Sequence, residues 1–204
     1  MKRLTVKPRP QWQKKVEALG FHFHSANGEP YWDESACYQF SKRQIETLEE
    51  ATNTLYRLCV EMVDQLIAKN QLDRLGIPAA YHAWIKQSWE QDELSLYGRF
   101  DLWYDGVNKP KLLEFNADTP TSLFEAAVVQ WYWLEEEHPG RDQFNNLHAF
   151  LIKSWETIGF AYPQPLHFSC LKHNPEDFAT VEYLRDTATQ AGLQTRFVYV
   201  EDIG

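Results

Sequence analysis

The longest periodic stretch of the chain lies between residues 41 and 69. Ile45, Leu48, Leu55, Leu58, Cys59, Met62, Leu66 and Ile67 recur at helical spacing, with charged and amide residues between them. That apolar stripe predicts an amphipathic helix over 42–69. Ser41, followed three residues later by Gln44, adds a capping box at its start. Ile77-Pro78 opens a second predicted helix, with Ala80, Trp84, Ile85 and Trp89 on one face. The period then shortens to two, from Ser95 to Asp105 and again from Lys111 to Ala117. Turn formers fill the interval, Asp105-Gly106-Val107-Asn108-Lys109-Pro110, so a β-hairpin is predicted here. Upstream, Gly20-Phe21-His22-Phe23-His24 reads as a short alternating strand before the turn Asn27-Gly28-Glu29-Pro30.

Beyond the hairpin, Ser122-Leu123-Phe124-Glu125 has the form of another capping box, opening a helix that ends before His138-Pro139-Gly140. A further helix is predicted over 142–157 and closed by Gly159. Pro163 and Pro165 mark a boundary. After it come a strand (Leu166 to Leu171), a helix (Glu176 to Ala191) stopped by Gly192, and a strand (Thr195 to Val200), which make a βαβ unit. The fold class is therefore mixed α/β (α+β): a helical N-terminal part, a β-hairpin and a C-terminal βαβ unit. Residues 1–160 form one predicted region and 161–204 the start of a second. Parallel sheets need cover on both faces, so two strands are too few to stand alone. The expectation is that the chain is the front part of a longer protein.

Composition narrows the classes. A 204-residue chain with 44% hydrophobic and 24% charged residues suits a soluble globular protein and excludes extended disorder. No apolar run reaches the ~18 residues of a membrane span, and the basic start MKRLTVKPRPQWQKK has no apolar stretch behind it, unlike a signal peptide. A net charge of −9 repels phosphate backbones and argues against nucleic-acid partners. Cys37, Cys59 and Cys170 have no metal-type spacing, which reads as reduced thiols in the cytoplasm. Eight Trp imply a large aromatic surface, and Trp131-Tyr132-Trp133 reads as core.

The hairpin carries the candidate chemistry. Alternation puts Arg99, Asp101 and Trp103 on one face of the first strand, and Leu112, Glu114 and Asn116 on one face of the second. The apolar faces match when Phe100 opposes Phe115 and Leu102 opposes Leu113, leaving Gly106 to Lys109 as the loop. Asp101 then opposes Glu114, and Arg99 opposes Asn116. Two carboxylates at ~4.5–5.5 Å repel each other unless a cation sits between them or one stays protonated. Two carboxylates with an amide oxygen are a Mg²⁺-type ligand set, and Arg99 offers a planar fork for a phosphate or carboxylate. At this level two readings stand: a cation and phosphate site, or a solvated polar face on which Arg99 neutralises the acids. The segment from Ala117 through Asp118-Thr119-Pro120-Thr121-Ser122 enters a helix N-terminus, which suits either an anionic ligand or simple capping. His22 and His24 share a strand face but have no third ligand, so packing is the simpler reading.

The run YGRFDLWYDG…KLLEFNADTPTSLFEAA, with GFHFH…NGEPYW upstream, resembles the glutathionylspermidine synthase family, and in particular its synthetase-only branch of acid–amine ligases. The resemblance covers essentially the whole chain. It implies a permuted ATP-grasp fold, with the hairpin belonging to the grasp and the βαβ unit to a pre-ATP-grasp-like substrate-binding domain. It implies that ATP phosphorylates a carboxylate, such as that of a glutathione-like peptide or another acid, and that a polyamine-like amine attacks the acyl phosphate. It assigns Arg99 to the transferred phosphoryl group, as both catalytic and ATP-binding, and Asp101, Glu114 and Asn116 to Mg²⁺. Thr119 and Thr121 stand where the family has serines that touch glutathione. Glu176-Asp177 resembles an acidic pair that holds the peptide's amino end and the amine. The nucleotide-binding lysines of the family lie beyond residue 204, so the chain by itself is expected to lack turnover. The alternative is a non-catalytic binding or interaction module that keeps the ligase's substrate lobe.

Overall fold

The computed structural model describes residues 1–26, 28–117, 121–162 and 165–204. About half of the residues are helical and the sheets are small, giving a mixed α/β protein. In chain order the elements are β1 (Lys2–Thr5), α1 (Trp12–Ala18), β2 (Ser25–Ala26), β3 (Glu29–Pro30), β4 (Ala36–Gln39), α2 (Lys42–Ala68), α3 (Ala79–Glu90), β5 (Arg99–Trp103) and β6 (Lys111–Asn116). A π-helical turn, Glu125–Val129, leads into α4 (Gln130–Glu137), followed by α5 (Leu147–Ala161), β7 (Leu166–Phe168), α6 (Pro175–Gln190) and β8 (Thr195–Phe197). The chain divides into two compact units, one of Met1–Lys2 with Phe40–Ala117 and one of Arg3–Gln39 with Asp118–Gly204.

The first unit is built on α2. Its start is the capping box read from sequence: Gln44 N–H donates to Ser41 Oγ at 3.3 Å, and Ser41 N–H to Gln44 Oε1 at 3.0 Å. The other end of the same amide, Gln44 Nε2, donates to the Gly106 carbonyl at 2.7 Å and ties the hairpin tip to the helix. Gly106 sits at φ 84°, and a Cβ there would run into the Met1 nitrogen, so both conformation and space ask for glycine. Phe100 stacks on Phe115 at 4.0 Å, and Tyr56 of α2 meets Phe115 edge-on at 6.4 Å, so α2 also braces the strands. Leu66, Ile67 and Leu72 close the far end. Two of the apolar positions expected on the α2 stripe, Leu58 and Met62, are exposed. The α3 face also differs from expectation. Trp84 is 69% exposed, while the His82 ring bonds the Ile77 carbonyl at 2.8 Å and Trp89 donates to Asp64 Oδ1 at 3.2 Å. Ile85 and Trp89 of the predicted face are half-buried, and Trp84 is left outside.

The second unit has its core on Val16, Phe21, Phe124, Val129, Trp155 and Tyr183. Residues 20–24 are not a strand. Phe21 is fully buried, with its N–H on the Val16 carbonyl and its ring 4.4 Å from Phe23 and 5.9 Å from Trp32, so tertiary packing overrides the local alternation. The pairing that does form is the short β2–β3 ladder, Ser25 to Pro30 and Ala26 to Glu29. The predicted turn residue Asn27 lies outside the described residues, as does Pro163 at the predicted boundary.

Two corrections concern helix ends. The helix expected over 142–157 spans Leu147–Ala161 and runs through Gly159. A Cβ at 159 would collide with the Leu193 side chain, so this glycine permits a close approach rather than ending the helix. Ser122 does not cap in the expected form: it sits at φ 69°, and the Glu125 carboxylate turns to Tyr31. Trp131 and Tyr132 are exposed rather than core, while Leu134 beside them is buried. The βαβ order is as read, with β7 and β8 parallel, Leu166 opposite Thr195, Phe168 opposite Phe197 and α6 between them, but the strands end at Phe168 and Phe197 and do not run on to Leu171 and Val200. Trp155 of α5 packs on Phe168 at 5.5 Å and donates its indole N–H to Thr187 of α6 at 2.9 Å, covering the pair. Among the described residues no helix is long and apolar enough to cross a membrane.

Candidate functional site

The hairpin register sets four polar side chains on one face. Arg99 opposes Asn116, Phe100 opposes Phe115 and Asp101 opposes Glu114, as the alternation predicts. The ladder then shifts between Asp101 and Leu102. Leu102 opposes Leu112 instead of Leu113, and Trp103 opposes Lys111. Leu113 is the extra residue of a β-bulge and is exposed. The shift brings the Lys111 ammonium over the Trp103 ring at 5.4 Å, a cation–π contact that the unshifted register would not set directly across the ladder. Bulges re-aim side chains and recur beside functional sites. Here the bulge begins immediately after Asp101 and leaves the four polar positions on regular ladder.

Arg99 grips Asp101 with a fork: Nε to Oδ1 at 2.8 Å and Nη2 to Oδ2 at 3.2 Å. Both side chains are partly exposed, so the pair adds little to stability. Glu114 stands directly opposite Asp101 in the ladder, where opposed residues hold their Cβ atoms ~4.5–5.5 Å apart. Asp101, Glu114 and Asn116 are all hard oxygen donors, and that donor set fits Mg²⁺ by its chemistry. Among the described residues no three His, Cys, Asp or Glu side chains gather into a metal-holding group. The hairpin set has two carboxylates, with an amide as its third donor.

The loop that closes the hairpin is organised around Asp105. The Asp105 carboxylate accepts from Val107 N–H at 2.8 Å, Asn108 N–H at 2.7 Å and Asn108 Nδ2 at 2.6 Å. These bonds, the Asn108 side chain first, hold its pKa down to about 2. A carboxyl depressed on folding adds stability above its unfolded value near 3.8, and that contribution is lost as the pH falls through about 2. The Val107 and Asn108 amide shifts in an NMR acid titration are therefore expected to move with a midpoint near 2. A midpoint near 3.8 would contradict this loop geometry.

The other sequence candidates lie elsewhere in the chain. Thr119 falls outside the described residues. Thr121 is half-buried in the second unit. Glu176 and Asp177 open α6 in the same unit, where Asp177 is engaged with its N-cap: its N–H donates to Asn174 Oδ1 at 3.2 Å and its Oδ2 accepts from Asn174 Nδ2 at 2.6 Å. His24 is a packing residue, bonded to Glu17 Oε1 and Ser25 Oγ at 3.0 Å each and edge-on to Trp12.

Sequence reasoning missed a second polar cluster. The Tyr31 hydroxyl donates to Glu125 Oε1 at 2.8 Å. Burial, then the bond to Glu125 and its charge, push the Tyr31 pKa up to about 12, and Glu176 adds to the rise. The residues are 94 positions apart. The only sequence signal was the serine–glutamate spacing, which has an equally good capping explanation.

A family model described as "Glutathionylspermidine synthase preATP-grasp" matches residues 3–204. A protein of Haemophilus influenzae with the provisional name acid–amine ligase is 39% identical over 212 residues, covering 100% of this chain and 54% of its own length. The bifunctional glutathionylspermidine synthetase/amidase of Escherichia coli is 22% identical over 191 residues, covering 92% of this chain and 30% of its own. The trypanothione synthetase of Crithidia fasciculata is 25% identical over 154 residues, covering 72% and 23%. The chain thus spans about half the length of the first relative and less than a third of the other two.

Proposed function

The chain belongs to the glutathionylspermidine synthase preATP-grasp family, and from that premise we propose that the whole protein is an ATP- and Mg²⁺-dependent ligase joining a carboxylic acid to an amine. The observation that carries this is the hairpin face, with Asp101 opposite Glu114 and Arg99 opposite Asn116. Asp101, Glu114 and Asn116 would hold Mg²⁺, which when bound neutralises phosphate charge. Arg99 has two N–H donors committed to Asp101. When that carboxylate turns to a cation, the same donors become available to an oxygen of the transferring phosphoryl group. Charge neutralisation of this kind is the main contribution expected of a phosphoryl-transfer site.

The names of the relatives support a peptide acid of the glutathione type and a polyamine-type amine. In this reading Thr119 and Thr121 meet the acid, Glu176 and Asp177 meet its amino end and the amine, and residues 161–204 open the substrate-binding domain of a permuted ATP-grasp ligase. The test is ADP release by the protein as its gene encodes it, offered Mg-ATP with glutathione-like peptides and polyamines. Release that depends on both acid and amine is expected. A protein that neither binds nor turns over ATP would overturn the proposal.

A further inference from the structure

Gly98 stands immediately before β5, under the ring of Phe115 from the opposite strand. Its φ is not left-handed, so its backbone conformation is open to any residue. What the position lacks is room. A Cβ there would lie 2.9 Å from Phe115 Cε2, 3.4 Å from Phe115 Cζ and 3.3 Å from the Asn116 carbonyl oxygen. The first distance is well inside the ~3.5–4.0 Å at which two carbons rest against each other. Glycine beside a strand often marks such a close approach, and an aromatic side chain of the neighbouring strand can cover the bare backbone.

The ring has little freedom to move aside. Phe115 stacks on Phe100 at 4.0 Å with the planes 17° apart, and Tyr56 of α2 meets it edge-on at 6.4 Å. A methyl group at position 98 would therefore push on the backbone of β6 and not on a loose side-chain end. The residues bonded to Phe115 on either side are Glu114 and Asn116, which oppose Asp101 and Arg99 in the ladder. Crowding at Gly98 thus acts on two of the oxygen donors at once, from the apolar face of the hairpin. The ladder offers weak resistance at that end, because Arg99–Asn116 is its last pair and the register already shifts after Asp101.

We infer that Gly98 is a positioning residue: the space it leaves for the Phe115 ring keeps Glu114 and Asn116 in register with Asp101 and Arg99 for the divalent cation. This rests on the ligase reading, in which that polar face holds Mg²⁺.

The test titrates Mn²⁺, followed by the EPR signal of the free ion, into the protein as encoded and into Gly98→Ala, Phe115→Leu and the double variant. Gly98→Ala is expected to weaken Mn²⁺ binding about tenfold, the lower end of the ~10–100-fold cost of losing support around a metal ligand. In the Phe115→Leu background the ring edge is gone, and the same alanine is expected to change the affinity by less than about twofold. A general loss of stability would not give that dependence on Phe115. The double variant is free of the collision, so it carries the test should Gly98→Ala alone not fold. Parent-like Mn²⁺ affinity in a folded Gly98→Ala, or a loss that persists in the Phe115→Leu background, overturns the inference and leaves the cation reading in place. A parent that binds no Mn²⁺ overturns the cation reading and the inference with it.

Discussion

Asp101→Asn is expected to lower Mg²⁺-dependent ATP turnover by on the order of a hundredfold or more while the protein stays folded. The substitution keeps the shape of the side chain and removes its charge. It leaves Glu114 as the only carboxylate of the opposed pair, and a hard divalent cation binds weakly to one carboxylate and two amides. The Arg99 fork also loses the charge and one acceptor oxygen of the Asp101 carboxylate. Stability should change little, because that ion pair is partly exposed. Glu114→Gln should behave alike. Arg99→Lys should lose turnover too, because an ammonium cannot reproduce the planar fork. Steady-state ADP release and thermal melting, measured on the same preparations, separate chemistry from folding. Parent-like turnover in Asp101→Asn would return the hairpin to a solvated polar face.

Glu34→Ala is expected to give the largest loss of stability, roughly 3–5 kcal/mol. Arg9 and Glu34 are both buried, with side-chain exposures of 2% and 0%. Arg9 Nε reaches both carboxylate oxygens, at 3.2 and 3.0 Å, Nη2 reaches Oε1 at 2.5 Å, and the Arg9 N–H donates to Oε2 at 3.3 Å. Arg9 Nη1 bonds Glu136 at 2.9 Å, and Lys15 shares that carboxylate. Deleting Glu34 leaves a buried guanidinium with one remaining anion, so the loss should fall toward the lower end of the range. The cost is that of an uncompensated charge rather than the net worth of the pair. Replacing both residues with apolar ones of similar volume should therefore cost less than Glu34→Ala alone. Denaturant unfolding measures both. A loss below about 1 kcal/mol would show that Arg9 finds other solvation.

The parts of the fold that were legible are those whose cause is local. α2 follows from its stripe and from Ser41 and Gln44. The β5–β6 pairing follows from alternation on either side of the turn formers Asp105 to Pro110, and β7–α6–β8 from two strands about a helix stopped by Gly192. The hairpin face was legible for the same reason: strand period and turn position fix which side chains oppose each other. Readings failed where a distant residue held the decision. Phe21 buries against a core that includes Phe124 and does not extend as a strand. Gly159 answers to Leu193, and the α3 face to Asp64 and the Ile77 carbonyl. The bulge at Leu113 goes with Lys111 finding Trp103 one register position early.

Sequence alone determined the types of α2, α3, the β5–β6 hairpin and the β7–α6–β8 unit, the opposition of Asp101 to Glu114 and of Arg99 to Asn116, and the likeness to acid–amine ligases. Each depends on residues a few positions apart, or on one short turn. Tertiary structure alone decided that Tyr31 binds Glu125, that Arg9 pairs with Glu34, and that Trp155 donates to Thr187. A side chain's partner is chosen among all groups that packing brings within ~3 Å. Most of those are remote in sequence, and no spacing rule reaches them.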